Sequence, residues 1–118
     1  MNRDHLLSDA KVAALAALSS WTPGVPREDI PVDGDATFAL LKMGIYLARE
    51  GEFITEYDTV VGEKLAHVLS GGRGVGRRQV SEQHLLDLER EAFLSLCGNP
   101  KTQERMQYML KTGKPLRN

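Results

Sequence analysis

The segment from Asp35 to Glu50 constrains this chain most. Placed at 100° per residue, Phe38, Ala39, Leu40, Leu41, Met43, Ile45, Leu47 and Ala48 cover most of a helix circumference. Only a stripe with Lys42, Tyr46, Arg49 and Glu50 is polar. A helix apolar nearly all round has to be enclosed by other elements, so this segment is expected to be central. Gly51 stops it. Gly44 inside it costs about 1 kcal/mol against alanine, which is tolerable where another backbone packs close.

Four further segments read as helix. None reads as strand, because no run alternates apolar and polar β-branched residues. The first helix spans about Asp4 to Ser19, with an Ala-rich centre of high helix propensity. A connector follows in which Pro23, Pro26 and Pro31 forbid helix. It is expected to run extended and to lay Trp21, Val25 and Ile30 along the helices. The third helix opens at Thr55, with Asp58 three residues on in a near capping box, and closes at Gly71-Gly72. The loop from Gly71 to Arg78 is predicted to be flexible and basic. Ser81 caps the fourth helix, which ends at Gly98. Asn99 and Pro100 open the fifth, and Gly113 and Pro115 stop it. The short turn between them predicts a tight helical hairpin. The expected fold is all-α, with about five helices in antiparallel hairpins around the central second helix. The chain reads as a single domain over 1–118: a first helix (1–19), a Pro-rich connector (20–34) and a four-helix portion (35–118).

The 118 residues suit one small domain. The net charge of -1 argues against a nucleic-acid module, which is normally basic. Cys97 is the sole cysteine, so no intramolecular disulfide forms and a reducing, cytoplasmic setting fits. No apolar run approaches the roughly 20 residues of a membrane span. The chain enters a helical pattern at once, without the apolar stretch of a secretory signal.

No constellation names a chemistry. Gly72-Arg73-Gly74-Val75-Gly76 lacks the spacing of a dinucleotide fingerprint and follows a helix, where that motif needs a preceding strand. His5, His67 and His84 fall on three helices without metal-ligand spacing. Two charges sit inside apolar arcs: Lys64 on the third helix and Glu89 on the fourth. A lone buried charge is costly. The expectation is therefore an interhelical ion pair, either Lys64 with Glu89 or Glu89 with Arg105.

The final third carries a more specific pattern. It reads Leu88-Glu89-Arg90-Glu91-Ala92-Phe93, then Pro100-Lys101-Thr102-Gln103-Glu104-Arg105-Met106, then Met109-Leu110-Lys111-Thr112-Gly113-Lys114-Pro115. This resembles the close of a crotonase (enoyl-CoA hydratase) fold, where an L-E-R-E-x-F helix, a short turn and a final F-L-x-K-R-K-P occur. Lys42-Met43-Gly44-Ile45-Tyr46 and Gly62-Glu63-Lys64-Leu65-Ala66-His67-Val68-Leu69 extend it. Together they resemble the C-terminal region of large bacterial 3-hydroxyacyl-CoA dehydrogenase/enoyl-CoA hydratase proteins, from about Ala10 onward.

The resemblance implies a fragment of a larger β-oxidation enzyme, with no catalytic residue, metal or cofactor of its own. NAD and a coenzyme A thioester belong to the implied parent, and acyl-CoA is met only in the intact protein. Phe93 matches a phenylalanine that borders the CoA site of a neighbouring subunit. The family's K-R-K becomes Thr112-Gly113-Lys114, so a CoA-phosphate contact would fall to Lys114 or Lys111, since lysine acts there as a point charge. The implied role is covering the acyl-CoA site and mediating subunit assembly. The implied partners are the rest of the parent and further copies of the chain. The alternative from the residues alone is a free-standing helical interaction module with a closed core. A nucleic-acid binder using Arg73, Arg77 and Arg78 is a third reading, opposed by the overall charge.

Overall fold

The protein is described here by a computed structural model covering residues 3–118; Met1 and Asn2, the opening of the chain, lie outside the described residues. A 3-10 turn at Arg3–His5 leads into α1 (Leu6–Leu18), β1 (Ile30–Val32), α2 (Asp35–Glu50), α3 (Glu56–Leu69), β2 (Arg78–Val80), α4 (Glu82–Cys97) and α5 (Pro100–Thr112). The five helices are those expected, and the fold is essentially all-α.

One small sheet departs from the sequence reading. β1 and β2 pair antiparallel, with Ile30 opposite Val80, Pro31 opposite Gln79 and Val32 opposite Arg78. Three residues per strand are too few to display a period of two. Pro31 is tolerated because a two-stranded ribbon consists of edges alone. Beyond the ribbon, the Glu82 N–H donates to the Arg27 carbonyl at 2.7 Å. The connector is thereby fastened to the start of α4. Its earlier residues are not: Trp21 and Val25 stay exposed, so the expectation that they lie along the helices fails.

The helix ends follow their local chemistry. Thr55 and Asp58 form a full capping box. The Asp58 N–H donates to Thr55 Oγ1 at 3.2 Å, and the Thr55 N–H donates to Asp58 Oδ2 at 2.8 Å. Ser81 Oγ accepts from the His84 N–H at 3.1 Å, and Asn99 Oδ1 accepts from the Lys101 N–H at 3.0 Å. At the far end of α3 the Gly72 N–H bonds the His67 carbonyl and the Gly71 N–H bonds the Val68 carbonyl, both at 2.9 Å. This is a Schellman arrangement, and Gly71 and Gly72 take φ of 77° and 85° to make it.

The glycine loop is therefore anchored, against the expectation of a flexible segment. The Gly74 carbonyl accepts from the Asp35 N–H at 2.8 Å, and the Ser70 carbonyl accepts from the Gly34 N–H at 3.1 Å. Arg78 donates to the Gly71 and Arg73 carbonyls. Arg73 pairs with Asp35 and lies 5.0 Å from the Phe38 ring centroid. Two of the three loop arginines are thus engaged inside the fold, and Arg77 remains exposed.

Packing is concentrated where α2 lies on α3 and α3 on α4. Gly62 lets the Ile45 side chain approach α3 closely. Val32, Tyr57, Ala66 and Ala92 are the buried apolar residues, together with the buried Ser70. That is a thin core. The chain exposes 9119 Å², whereas a compact monomer of 13.1 kDa exposes about 6,400 Å². Its radius of gyration is 20.2 Å, against about 13.5 Å for a compact domain of this length. α1 contributes to the excess, since every one of its residues is exposed. So does α2, which turns Phe38, Leu41, Ile45 and Ala48 inward and Leu40, Met43 and Leu47 outward.

Candidate functional site

α3 and α4 leave a groove between them. Val61, Leu65 and Val68 line one wall, and Leu86, Phe93 and Leu96 line the other. Its volume is about 770 Å³, and it is open to solvent. The i, i+4, i+7 spacing of 61, 65 and 68 puts the α3 residues on one face, and 86, 93 and 96 repeat the logic on α4. A groove of this size lined by apolar side chains has room for an apolar group.

Lys64, Glu89 and Phe93 all line this groove. The expected ion pair is not formed: among the described residues Lys64 and Glu89 make no ion pair. Glu89 is exposed, on the open groove between α3 and α4. Its place in the apolar arc is real, but it lies at the open groove, while Ala92 in the same arc is buried. Glu89 does not reach Arg105 either.

Arg105 is bound elsewhere, in a cluster that sequence reasoning missed. Its Nη1 donates to Asp58 Oδ1 at 2.7 Å, its Nε to Asn118 Oδ1 at 2.7 Å and its Nη2 to Thr55 Oγ1 at 3.3 Å. The guanidinium carbon lies 4.9 Å from the Tyr57 ring centroid, and the Tyr57 hydroxyl is 2.6 Å from Thr102 Oγ1. The Thr55 backbone N–H holds the Asp58 carboxyl below its ordinary value, assisted by Arg105, against partial burial that raises it. This cluster fixes α5 and the closing residues to the start of α3. Its members are oriented towards one another, so it is structural. The signal available beforehand was Asp58 itself, a capping carboxylate with a second oxygen to spare.

Lys111 and Lys114 lie apart from the groove walls. Lys111 is on the last turn of α5, and Lys114 follows Gly113, which takes a left-handed φ of 68°. Both lysines are exposed. Phe93 is exposed as well, on the groove. The geometry thus brings Lys64, Glu89 and Phe93 together and leaves Lys111, Lys114 and Arg105 on α5 and the segment after it.

His84 Nε2 is 3.0 Å from the Gly71 carbonyl, and His67 packs edge-on to Phe38. Among the described residues no three His, Cys, Asp or Glu side chains gather as a metal site. No helix there is long and apolar enough to cross a membrane.

No family model and no solved structure matches the chain. A curated relative does: the chain is 45% identical over 119 residues to a probable 3-hydroxyacyl-CoA dehydrogenase from Bacillus subtilis (strain 168). The match takes in 100% of this chain and 15% of that protein. The chain is thus similar, along its whole length, to a small region of a bacterial 3-hydroxyacyl-CoA dehydrogenase.

Proposed function

We propose that this chain is a non-catalytic helical region of a fatty-acid β-oxidation enzyme of the 3-hydroxyacyl-CoA dehydrogenase/enoyl-CoA hydratase kind, placed towards its C-terminus. There it covers the acyl-CoA site and contributes to subunit assembly. The observation that carries this is the open architecture: 9119 Å² of exposed surface around four buried apolar residues among those described. A chain that leaves so much apolar surface outside is built to be completed by other protein. The match to a short stretch of a much longer dehydrogenase agrees.

The two groups implied for the parent fit this chain differently. A dinucleotide needs a glycine turn between a strand and the N-terminus of a helix. Here Gly71 and Gly72 follow α3 and spend their N–H groups closing it. The residues do not fit NAD, and nicotinamide chemistry is left to the rest of the parent. A coenzyme A thioester fits better. The apolar groove beside Phe93 suits its uncharged portion, and Lys111 and Lys114 carry free positive charge for a phosphate. These residues would bind and shield the thioester; no bond is made or broken by them.

The free-standing interaction module predicts a closed core, and the thinness of the core counts against it. The test is direct. The purified 118-residue chain should oxidise no 3-hydroxyacyl-CoA with NAD and hydrate no enoyl-CoA, followed by absorbance. The polypeptide of the complete reading frame should do at least the former. Turnover by the 118 residues alone would sink the proposal.

A further inference from the structure

We propose that the outward stripe of α2 (Ala36, Leu40, Met43, Gly44 and Leu47) seats an α-helix supplied by the remainder of the longer polypeptide, crossing closely at Gly44. This rests on the reading of the chain as a region of a larger enzyme, and adds which surface receives the rest of it.

α2 is used on one side only. Phe38, Leu41, Ile45 and Ala48 face inward, while Leu40 is 73% exposed, Met43 58% and Leu47 60%. The spacing 36, 40, 43, 44, 47 is an unbroken i, i+3, i+4 ridge with an apolar surface and no charge. Ridges of this kind pack into the grooves of a second helix.

Gly44 is the second observation, independent of the first. Glycine weakens a helix interior. A Cβ added at Gly44 would meet nothing within 4 Å, so no contact among the described residues calls for it. Gly62 on α3 shows the contrast, with the Ile45 side chain 3.1 Å from where its Cβ would lie. A notch with no internal use, set on an exposed apolar ridge, is explained by a neighbour that approaches the backbone from outside.

The source of that neighbour follows from length and area. The chain matches only 15% of its relative, so most of such a polypeptide lies outside it. The exposed surface of 9119 Å² exceeds that of a compact monomer by about 2,700 Å². Counted over both partners, an excess of that size corresponds to about 5,400 Å², the scale of the largest permanent interfaces.

The experiment is Gly44→Leu, made in the 118-residue chain and in the polypeptide of the complete reading frame, each followed by thermal melting. In the 118-residue chain leucine enters open space and favours helix, so the midpoint should hold or rise. In the full-length polypeptide it should fall by several degrees, with α2 newly open to protease. Equal responses in the two contexts overturn the proposal. Light scattering on the 118-residue chain gives a second arm: a wild-type dimer split by Gly44→Leu assigns the stripe to another copy and overturns it as well. An immunoblot of source cells separates the two levels. A product of 13.1 kDa alone removes the functional reading itself. A long polypeptide in which Gly44→Leu is silent removes only the stripe.

Discussion

Arg105 shows how one side chain joins the start of α3, α5 and the last residue of the chain. It holds Asp58 at the start of α3, Thr55 before it and Asn118 at the far end, while lying over Tyr57. The side chains of Arg105 and Asp58 are 22% and 28% exposed, so their pairing is sheltered and the loss of one partner strands the other. Arg105→Met keeps the stem and removes the donors. It should cost about 2 kcal/mol, in line with hydrogen bonds to charged groups, read as a lower denaturation midpoint. The pH dependence has a definite sign. Asp58 is held below its ordinary 3.8, so the folded chain releases that proton more readily than the unfolded one. The resulting stabilisation is complete above the unfolded value and fades as pH falls through the folded one. Asp58→Asn should therefore be less stable than wild type at neutral pH. The gap should narrow below about pH 4, the range of an unfolded aspartate. A constant gap across the acid limb would mean that the carboxylate charge is not what matters.

At the scale of elements, the caps were legible and the crossings were not. Thr55, Ser81 and Asn99 each announce a helix start, because a side-chain oxygen must meet a bare N–H within three residues. Such local chemistry survives without tertiary context. Lys64 and Glu89 were harder. Both lie within apolar arcs, but an arc says nothing of whether another element covers it. Here the α3–α4 groove stays open. The β1–β2 ribbon escaped notice because three-residue strands carry no pattern. It is tied to the glycine loop, through Arg78 and Gly71, which no periodicity encodes. Gly71 is the joint. It ends α3 at φ 77°, and a Cβ there would lie 2.7 Å from Val32 on β1. Gly71→Ala should strain the backbone and push β1 away at once, costing more than the roughly 1 kcal/mol of a left-handed alanine alone. Hydrogen exchange should then rise in both strands and the last turn of α3 together. A response confined to α3 would mean that the ribbon stands independently.

For the whole molecule, extent and core disagree in an informative way. Principal extents of 53 × 43 × 27 Å describe a spread-out set of helices. α2 illustrates why the sequence suggested more enclosure than the chain provides. Its apolar circumference demands cover on all sides, and α3 supplies one side only. The apolar pattern of α2 thus asks for more cover than α3 gives it. That difference can be measured. The slope of unfolding free energy against urea scales with the surface newly exposed. A chain that already exposes 9119 Å² has less left to expose than a compact protein of equal length. Its slope should fall near 1 kcal/mol/M, at the bottom of the range for small proteins. A dye that binds apolar surface should bind the native chain before any urea is added. A slope near the middle of that range, with no dye bound, would mean that the helices close on themselves in solution and that α2 finds its cover within the chain.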